Sequence, residues 1–166
     1  MDAGTTGQLQ RDPGQPRPQT RASATYPPDA EHCAAELLSI VAYLTAHDGP
    51  LQTPPDAETP VSPWHERLLR KAAERLDVID AFMRARVAFL AAGKDRGYYA
   101  PEAELALAGA TLDATRAATT VVAALLESRL PSPHDFDAMS AAALNILPAR
   151  DALAALGEAT PSPHAR

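Results

Sequence analysis

The chain has very little cysteine and no long apolar run, and it lacks the glycine-rich loops that bind nucleotides. Its single cysteine, Cys33, excludes an intramolecular disulfide and favours a reducing compartment. The longest apolar run, Val121 to Leu126, has six residues, whereas about twenty are needed to span a bilayer. The first twenty residues also lack the apolar stretch of a secretory signal. We therefore expect a cytoplasmic protein that does not enter the membrane.

Proline is absent from two long segments, from Trp64 to Ala100 and from Glu102 to Leu130. Both segments are dense in Ala, Leu, Arg and Glu, which favour helices, and proline is the residue that interrupts them. They predict two helices of roughly 28 to 30 residues each, about 40 to 45 Å long. The link between them is short, so these helices form an antiparallel hairpin.

Two shorter helices flank the predicted hairpin. The first runs from about Asp29 to His47, and Gly49 supplies a left-handed stop. Its direction in the bundle stays open, because the link that follows it is long enough to run the length of a helix. The last helix begins at the cap residue Ser132, is broken or kinked by Pro148, and ends in a short turn at Gly157.

Apolar residues at three- and four-residue spacing predict the buried face of each helix. In the first helix they are Cys33, Leu37, Ile40, Val41 and Leu44. In the second they are Leu69, Ala72, Leu76, Ile79, Met83, Val87 and Leu90, with Leu68, Phe82 and Phe89 beside them. In the third they are Leu105, Ala108, Leu112, Thr115, Thr119, Val122 and Leu126, and in the fourth Phe136, Met139, Ala143 and Leu147. Small residues surround the third stripe, which predicts that this helix lies at the centre.

The fold class that follows is an all-α protein, a single bundle of about four helices with a long central antiparallel hairpin. No window shows the apolar and polar alternation of a half-buried strand. A length of 166 residues fits one domain. We expect the bundle to cover residues 26–157, with disordered tails at 1–25 and 158–166, because these tails contain almost nothing apolar to bury.

Charge is unevenly distributed along a chain whose formal net charge is −6. Residues 26–61 carry six acidic residues and no Lys or Arg, whereas residues 62–96 carry eight Lys or Arg against five Asp or Glu. This asymmetry predicts that an acidic helix pairs with a basic one, within the fold or between subunits. The acidic balance also makes nucleic acid an unlikely partner.

Arg129 and His134 are separated by four residues at the joint between the third and fourth helices. This spacing resembles the Arg-x4-6-His signature of HEPN-type ribonucleases, and the resemblance covers six residues. It implies that Arg129 and His134 act together on an RNA backbone without a metal. The alternative is structural, since an arginine near a helix C-terminus interacts favourably with the helix dipole.

Two groups of charged residues on the second helix are candidates for a binding or interface role. Asp80 and Arg86 lie on or beside its apolar stripe, where a charge is tolerated mainly when it is paired. We expect each to form an ion pair with a neighbouring helix or subunit, rather than to line a ligand pocket. Arg67, Lys71 and Arg75 recur every four residues and predict a basic ridge that is solvated or paired with acids.

The remaining motifs of catalysis and metal binding are absent from the sequence. The five histidines are scattered, with no Glu-x-x-His, His-x-x-x-His or His-Glu-x-x-His among them. We expect no metal and no cofactor. The first hypothesis is a non-enzymatic interaction or regulatory protein that binds a protein partner or itself, in a complex weakened by salt. The alternatives are a ribonuclease using Arg129 and His134, and a small-ligand sensor with a pocket between helices.

Overall fold

The computed structural model describes residues 29–52, 61–95 and 102–159. They form five helices and, within these ranges, no strand: α1 (Ala30–Thr45), α2 (Pro63–Asp95), α3 (Glu102–Leu126), α4 (Pro133–Leu144) and α5 (Ile146–Ala159). The predicted all-α bundle is therefore confirmed. The predicted tail at 1–25 and residues 160–166 lie outside the described residues. The helical part extends to Ala159, past the predicted end at Gly157.

Local capping interactions set where three of the helices begin, and the predicted cap at Ser132 is one of them. The Asp29 carboxylate accepts a hydrogen bond from the amide of His32 at 2.7 Å, which caps α1. Ser62 accepts from an amide in the first turn of α2 at 3.3 Å. Ser132 and Asp135 form a reciprocal capping box at the start of α4.

The two longest helices, α2 and α3, form an antiparallel hairpin. Ion pairs join Arg86 to Glu104 and Asp80 to Arg116, so later residues of one helix meet earlier residues of the other. Both helices contribute buried side chains to the core, including Leu69, Leu76, Ile79, Met83, Leu107, Leu112, Val121 and Leu125. The hairpin therefore supplies most of the large apolar residues of the core.

Helix α3 lies at the centre of the bundle, because it contacts each of the other four helices. Much of its surface is small, and Ala108, Ala114 and Ala118 are fully buried. Thr111 and Thr115 are buried too, and their hydroxyls donate to carbonyls one turn earlier at 2.8 Å and 2.7 Å. These internal hydrogen bonds remove the cost of burying a polar group, so neighbouring helices pack closely against α3.

The structure fixes the direction of α1, which the sequence leaves open. Glu36 in α1 pairs with Arg75 in α2, and Tyr43 further along α1 hydrogen-bonds to His65 at 2.9 Å. Residue numbers at these contacts rise along α1 and fall along α2, so the two helices are antiparallel.

The predicted left-handed stop at Gly49 is wrong. Helix α1 ends at Thr45, and the capping residue Ala46 has a φ of −59°. Gly49 is buried three residues beyond the cap, against the carbonyl oxygens of Tyr43 and Ala46. A Cβ atom at Gly49 would collide with these oxygens. Glycine is therefore required by close backbone approach rather than by a positive φ.

Pro148 interrupts the last helical segment, as predicted, but the break lies upstream of it. Helix α4 ends at Leu144, Asn145 follows as its cap, and Pro148 lies in the first turn of α5. A proline clashes with the carbonyl four residues earlier, which here belongs to Leu144. In the first turn of a new helix its missing amide hydrogen costs nothing.

Three residues that were predicted to be buried are exposed: Phe89, Phe136 and Leu147. The predicted stripe of the fourth helix placed Leu147 after Ala143, at a spacing of four residues. Ile146 follows Ala143 by three residues and Met139 by seven, which is the same helical face, and it is buried while Leu147 is 45% exposed. Phe89 precedes the buried Leu90 by one position, about 100° around the helix, and is 69% exposed.

Helix α3 ends in a Schellman motif with Ser128 in the left-handed conformation, at a φ of 54°. The amides of Ser128 and Arg129 donate to the carbonyls of Leu125 and Ala124 at 3.0 Å and 2.9 Å. Because a side chain is strained at this φ and glycine is not, we expect Ser128→Gly to raise the free energy of unfolding by about 0.5–1 kcal/mol. Urea denaturation followed by circular dichroism measures the change.

A matched control for this substitution is Ser140→Gly, in the interior of α4. There glycine weakens an ordinary helical position, so we expect the opposite sign, a loss of about 0.5–1 kcal/mol. A loss of stability in both variants would contradict the strain at Ser128.

Candidate functional site

The predicted catalytic pair, Arg129 and His134, lies at the joint between α3 and α4. Arg129 is engaged there in an ion pair. Its guanidinium donates to the Glu127 carboxylate at 2.8 Å and 2.5 Å. His134 is exposed, as the second residue of α4. The hydrogen bond from Ser132 lowers the pKa of Asp135, and the charges of His134 and Arg129 lower it further. The contacts between Ser132 and Asp135 cap α4. The ribonuclease interpretation stays a prediction.

Asp80 and Arg86 both lie in ion pairs that connect α2 to α3. Asp80 accepts from Arg84 on its own helix and lies 3.6 Å from the Arg116 Nε atom on α3. Arg86 donates to the Glu104 carboxylate of α3, with its Nε atom at 2.8 Å. The structure therefore gives both residues a partner on the neighbouring helix, which is the arrangement favoured over a ligand pocket.

The basic ridge on α2 is largely engaged by other groups. Arg75 binds a carboxylate of α1, and the neighbouring Arg70 binds Glu66 at 2.7 Å. The guanidinium of Arg67 lies 5.9 Å from the centre of the Trp64 ring. Lys71 is exposed. Two of the three ridge cations are thus engaged within the protein, Arg75 by a carboxylate and Arg67 by an aromatic ring.

The acidic α1 and the basic α2 meet in a bidentate ion pair between Glu36 and Arg75. The Arg75 Nε and Nη2 atoms donate to the two Glu36 oxygens at 2.5 Å and 2.7 Å. This contact pairs the acidic and basic segments within one chain. The hydrogen bonds from Arg75 lower the pKa of Glu36 in the folded state.

The ion pair predicts a pH-dependent contribution to stability. A carboxyl with a lowered folded-state pKa stabilises the fold above its unfolded-state pKa, about 4.3, and this contribution is lost as the pH falls through the folded-state value. We expect Glu36→Gln to lower the free energy of unfolding near pH 6, with the difference from wild type shrinking as the pH falls below the unfolded-state pKa of about 4.3. Urea denaturation across this range measures it.

Glu74→Gln is the matched control for this prediction. Glu74 is an exposed glutamate on α2 and has no ion-pair partner among the described residues. We expect its difference from wild type to be smaller and nearly independent of pH. Parallel pH profiles for wild type and Glu36→Gln would contradict the role of the ion pair.

The remaining chemistry-bearing group is the Cys33 thiol, which is buried. Burial raises its pKa, and the nearby charge of Glu36 raises it further, so the thiol is protonated at neutral pH. Across residues 29–52, 61–95 and 102–159, no three His, Cys, Asp or Glu side chains cluster closely enough to hold a metal. Within the same ranges, no helix has the length and apolar character to cross a bilayer.

Sequence reasoning missed an exposed apolar surface on α4 and α5. We define the junction surface as the exposed residues Phe136, Ala138, Ala141, Leu144, Leu147 and Pro148. Leu144 is 65% exposed, and it lies three residues before Leu147, on the other side of the break at Asn145. The signal in the sequence is the absence of any charged residue from 138 to 149.

Two other exposed aromatic residues, Trp64 and Phe89, differ from the junction surface because an arginine lies over one face of each ring. The Arg67 guanidinium lies over Trp64, and that of Arg86 lies 5.8 Å from the centre of the Phe89 ring. Such cation–π contacts stabilise an aromatic ring at a solvated position. Leu144 and Leu147 cannot form such a contact, since an aliphatic side chain offers no π face to a cation.

Comparisons with known proteins give no match to this chain, whether with protein-family models, with curated proteins or with solved structures.

Proposed function

We propose that this chain is a non-enzymatic interaction protein that binds a protein partner through the junction surface. The carrying observation is the exposure of Leu144 and Leu147 within an uncharged stretch. Clustered exposed apolar side chains on a folded domain mark a binding surface more often than scattered ones do. Fully burying an exposed leucine contributes about 1.5–3 kcal/mol, and Leu144 and Leu147, at 65% and 45% exposed, each offer a part of that value to an interface.

The roles of the charged residues support an interaction protein over an enzyme. Asp80 and Arg86 are used to connect α2 with α3, and Arg129 is bonded to Glu127. Catalytic groups need free donors or acceptors directed at a substrate, whereas these side chains are engaged in ion pairs with Arg116, Glu104 and Glu127. A buried thiol at Cys33 fits a reducing compartment, and we place the protein in the cytoplasm.

Site-specific photo-crosslinking in the native cell tests the proposal. A benzophenone amino acid replaces Leu144 in the full-length chain, and in a control it replaces Ala106, which is exposed on α3. We expect a discrete protein adduct from position 144 and none from position 106. We also expect Leu147→Ser to reduce the adduct, because it removes part of the same surface. Equal adducts at both positions, or none at 144, would overturn the proposal.

A further inference from the structure

Two exposed carboxylates border the junction surface. Asp137 lies seven residues before Leu144 on α4, and Asp151 lies four residues after Leu147 on α5. Residues four or seven apart share one face of a helix, so each carboxylate lies on the face that carries a leucine. Neither carboxylate has an ion-pair or hydrogen-bond partner within the described ranges.

The cation in this region is less exposed than the two carboxylates. Arg150 is the one Lys or Arg between Pro133 and Ala159. It follows the fully buried Ile146 by four residues and is itself half-buried, which puts it on the inner side of α5. We call Asp137 and Asp151 the rim of the junction surface. The rim is negative, and the centre of the surface is apolar.

We infer that the junction surface takes an amphipathic helical segment with apolar residues on one face and Lys or Arg at its edges. This inference rests on the proposed function and specifies the chemistry of its partner. The leucines fit the apolar face of such a helix, and the bordering carboxylates fit its cations. Asp137 and Asp151 are fourteen residues apart in the sequence, at most about 21 Å of helix, so a partner of about four turns spans them.

A second copy of this chain is disfavoured as the occupant. A symmetric dimer apposes the same patch of both copies, so the unpaired charges at the rim all meet charges of their own sign. Like-charge apposition lowers the affinity of an interface, whereas a basic partner neutralises both carboxylates.

Binding of two synthetic peptides to the full-length chain tests the inference. Both have a leucine stripe at three- and four-residue spacing, and the flanking positions are Lys in one and Glu in the other. Each is labelled with fluorescein and titrated by fluorescence anisotropy. We expect the Lys peptide to bind at least about tenfold more tightly than the Glu peptide, and both to bind more weakly to Leu144→Ser/Leu147→Ser.

Charge variants show whether the preference comes from the rim. Asp137→Asn/Asp151→Asn should remove most of the preference for the Lys peptide. The control Asp77→Asn/Asp113→Asn makes the same change in net charge at exposed positions on α2 and α3, and it should keep the preference. This control separates a local effect of the rim from general attraction to an acidic protein.

Four outcomes would overturn the inference: no binding of the Lys peptide, equal affinity for both peptides, a preference that survives Asp137→Asn/Asp151→Asn, or a wild-type dimer that Leu144→Ser/Leu147→Ser abolishes. Equal affinity that still depends on Leu144 and Leu147 would remove the charge inference alone. The proposed function would then stand, because the crosslinking experiment tests it separately from the charge of the partner.

Discussion

Replacing Leu76 by alanine should lower the free energy of unfolding by about 2–5 kcal/mol. Leu76 is fully buried on α2, in the core cluster that joins α1, α2 and α3. Truncation removes the transfer free energy of its side chain and leaves a cavity in a tightly packed interior. Urea denaturation followed by circular dichroism gives the change directly.

The same substitution at Leu144 is the matched control. Leu144 is 65% exposed, so Leu144→Ala should change the free energy of unfolding by no more than about 0.5 kcal/mol. If the two variants lost equal stability, Leu144 would belong to the core, and the junction surface would not be available to a partner.

Ala118→Leu should also destabilise the protein, by about 1–3 kcal/mol. Ala118 is fully buried on α3, the helix that contacts each of the other four. Additional methylene groups at this position force the surrounding side chains out of their preferred rotamers or push a helix outward. Thermal and urea unfolding both measure the loss.

Ala106→Leu makes the same change at an exposed position of the same helix. Leucine and alanine have similar helix propensities, so we expect little effect. A neutral or stabilising Ala118→Leu would contradict the close approach of neighbouring helices to α3.

Features that depend on a few neighbouring residues could be predicted from the sequence. Ser62 and Pro63 mark the start of α2, and Ser132 with Asp135 marks the start of α4, because each cap is formed within one turn. The buried faces of the long helices were also predictable. Over many turns, one residue that departs from the apolar spacing does not obscure the pattern.

Features that depend on how helices meet could not be predicted. Spacings of three and four residues after Ala143 point equally to Ile146 and to Leu147, and packing against the other helices decides that Ile146 is the buried one. The sequence also does not place the helix break at Asn145 rather than at Pro148.

The direction of α1 follows from the contact between Glu36 and Arg75, which are 39 residues apart in the sequence. The periodicity within a single helix does not reveal such a contact. Helical periodicity also does not show how much of the circumference of a helix its neighbouring helices cover. For this reason Phe89, beside the apolar stripe, was expected to be buried.

The candidate site was predictable only in part, for the same reason. Asp80 and Arg86 stand out because they lie near an apolar stripe, but their partners Arg116 and Glu104 depend on the relative rotation of two helices. The junction surface has a local signal, the uncharged stretch from 138 to 149. Alone, that stretch equally describes a buried helix, and only the packing shows that Leu144 faces solvent.

The affinity of the partner crosslinked at position 144, once purified, is the most direct test of the junction surface as a binding site. Isothermal titration calorimetry compares its binding to wild type and to Leu144→Ser/Leu147→Ser, with urea denaturation of both proteins alongside. We expect binding at least about tenfold weaker, ~1.4 kcal/mol, with the free energy of unfolding changed by no more than about 0.5 kcal/mol. Unchanged affinity, or a loss of binding that accompanies unfolding, would contradict it.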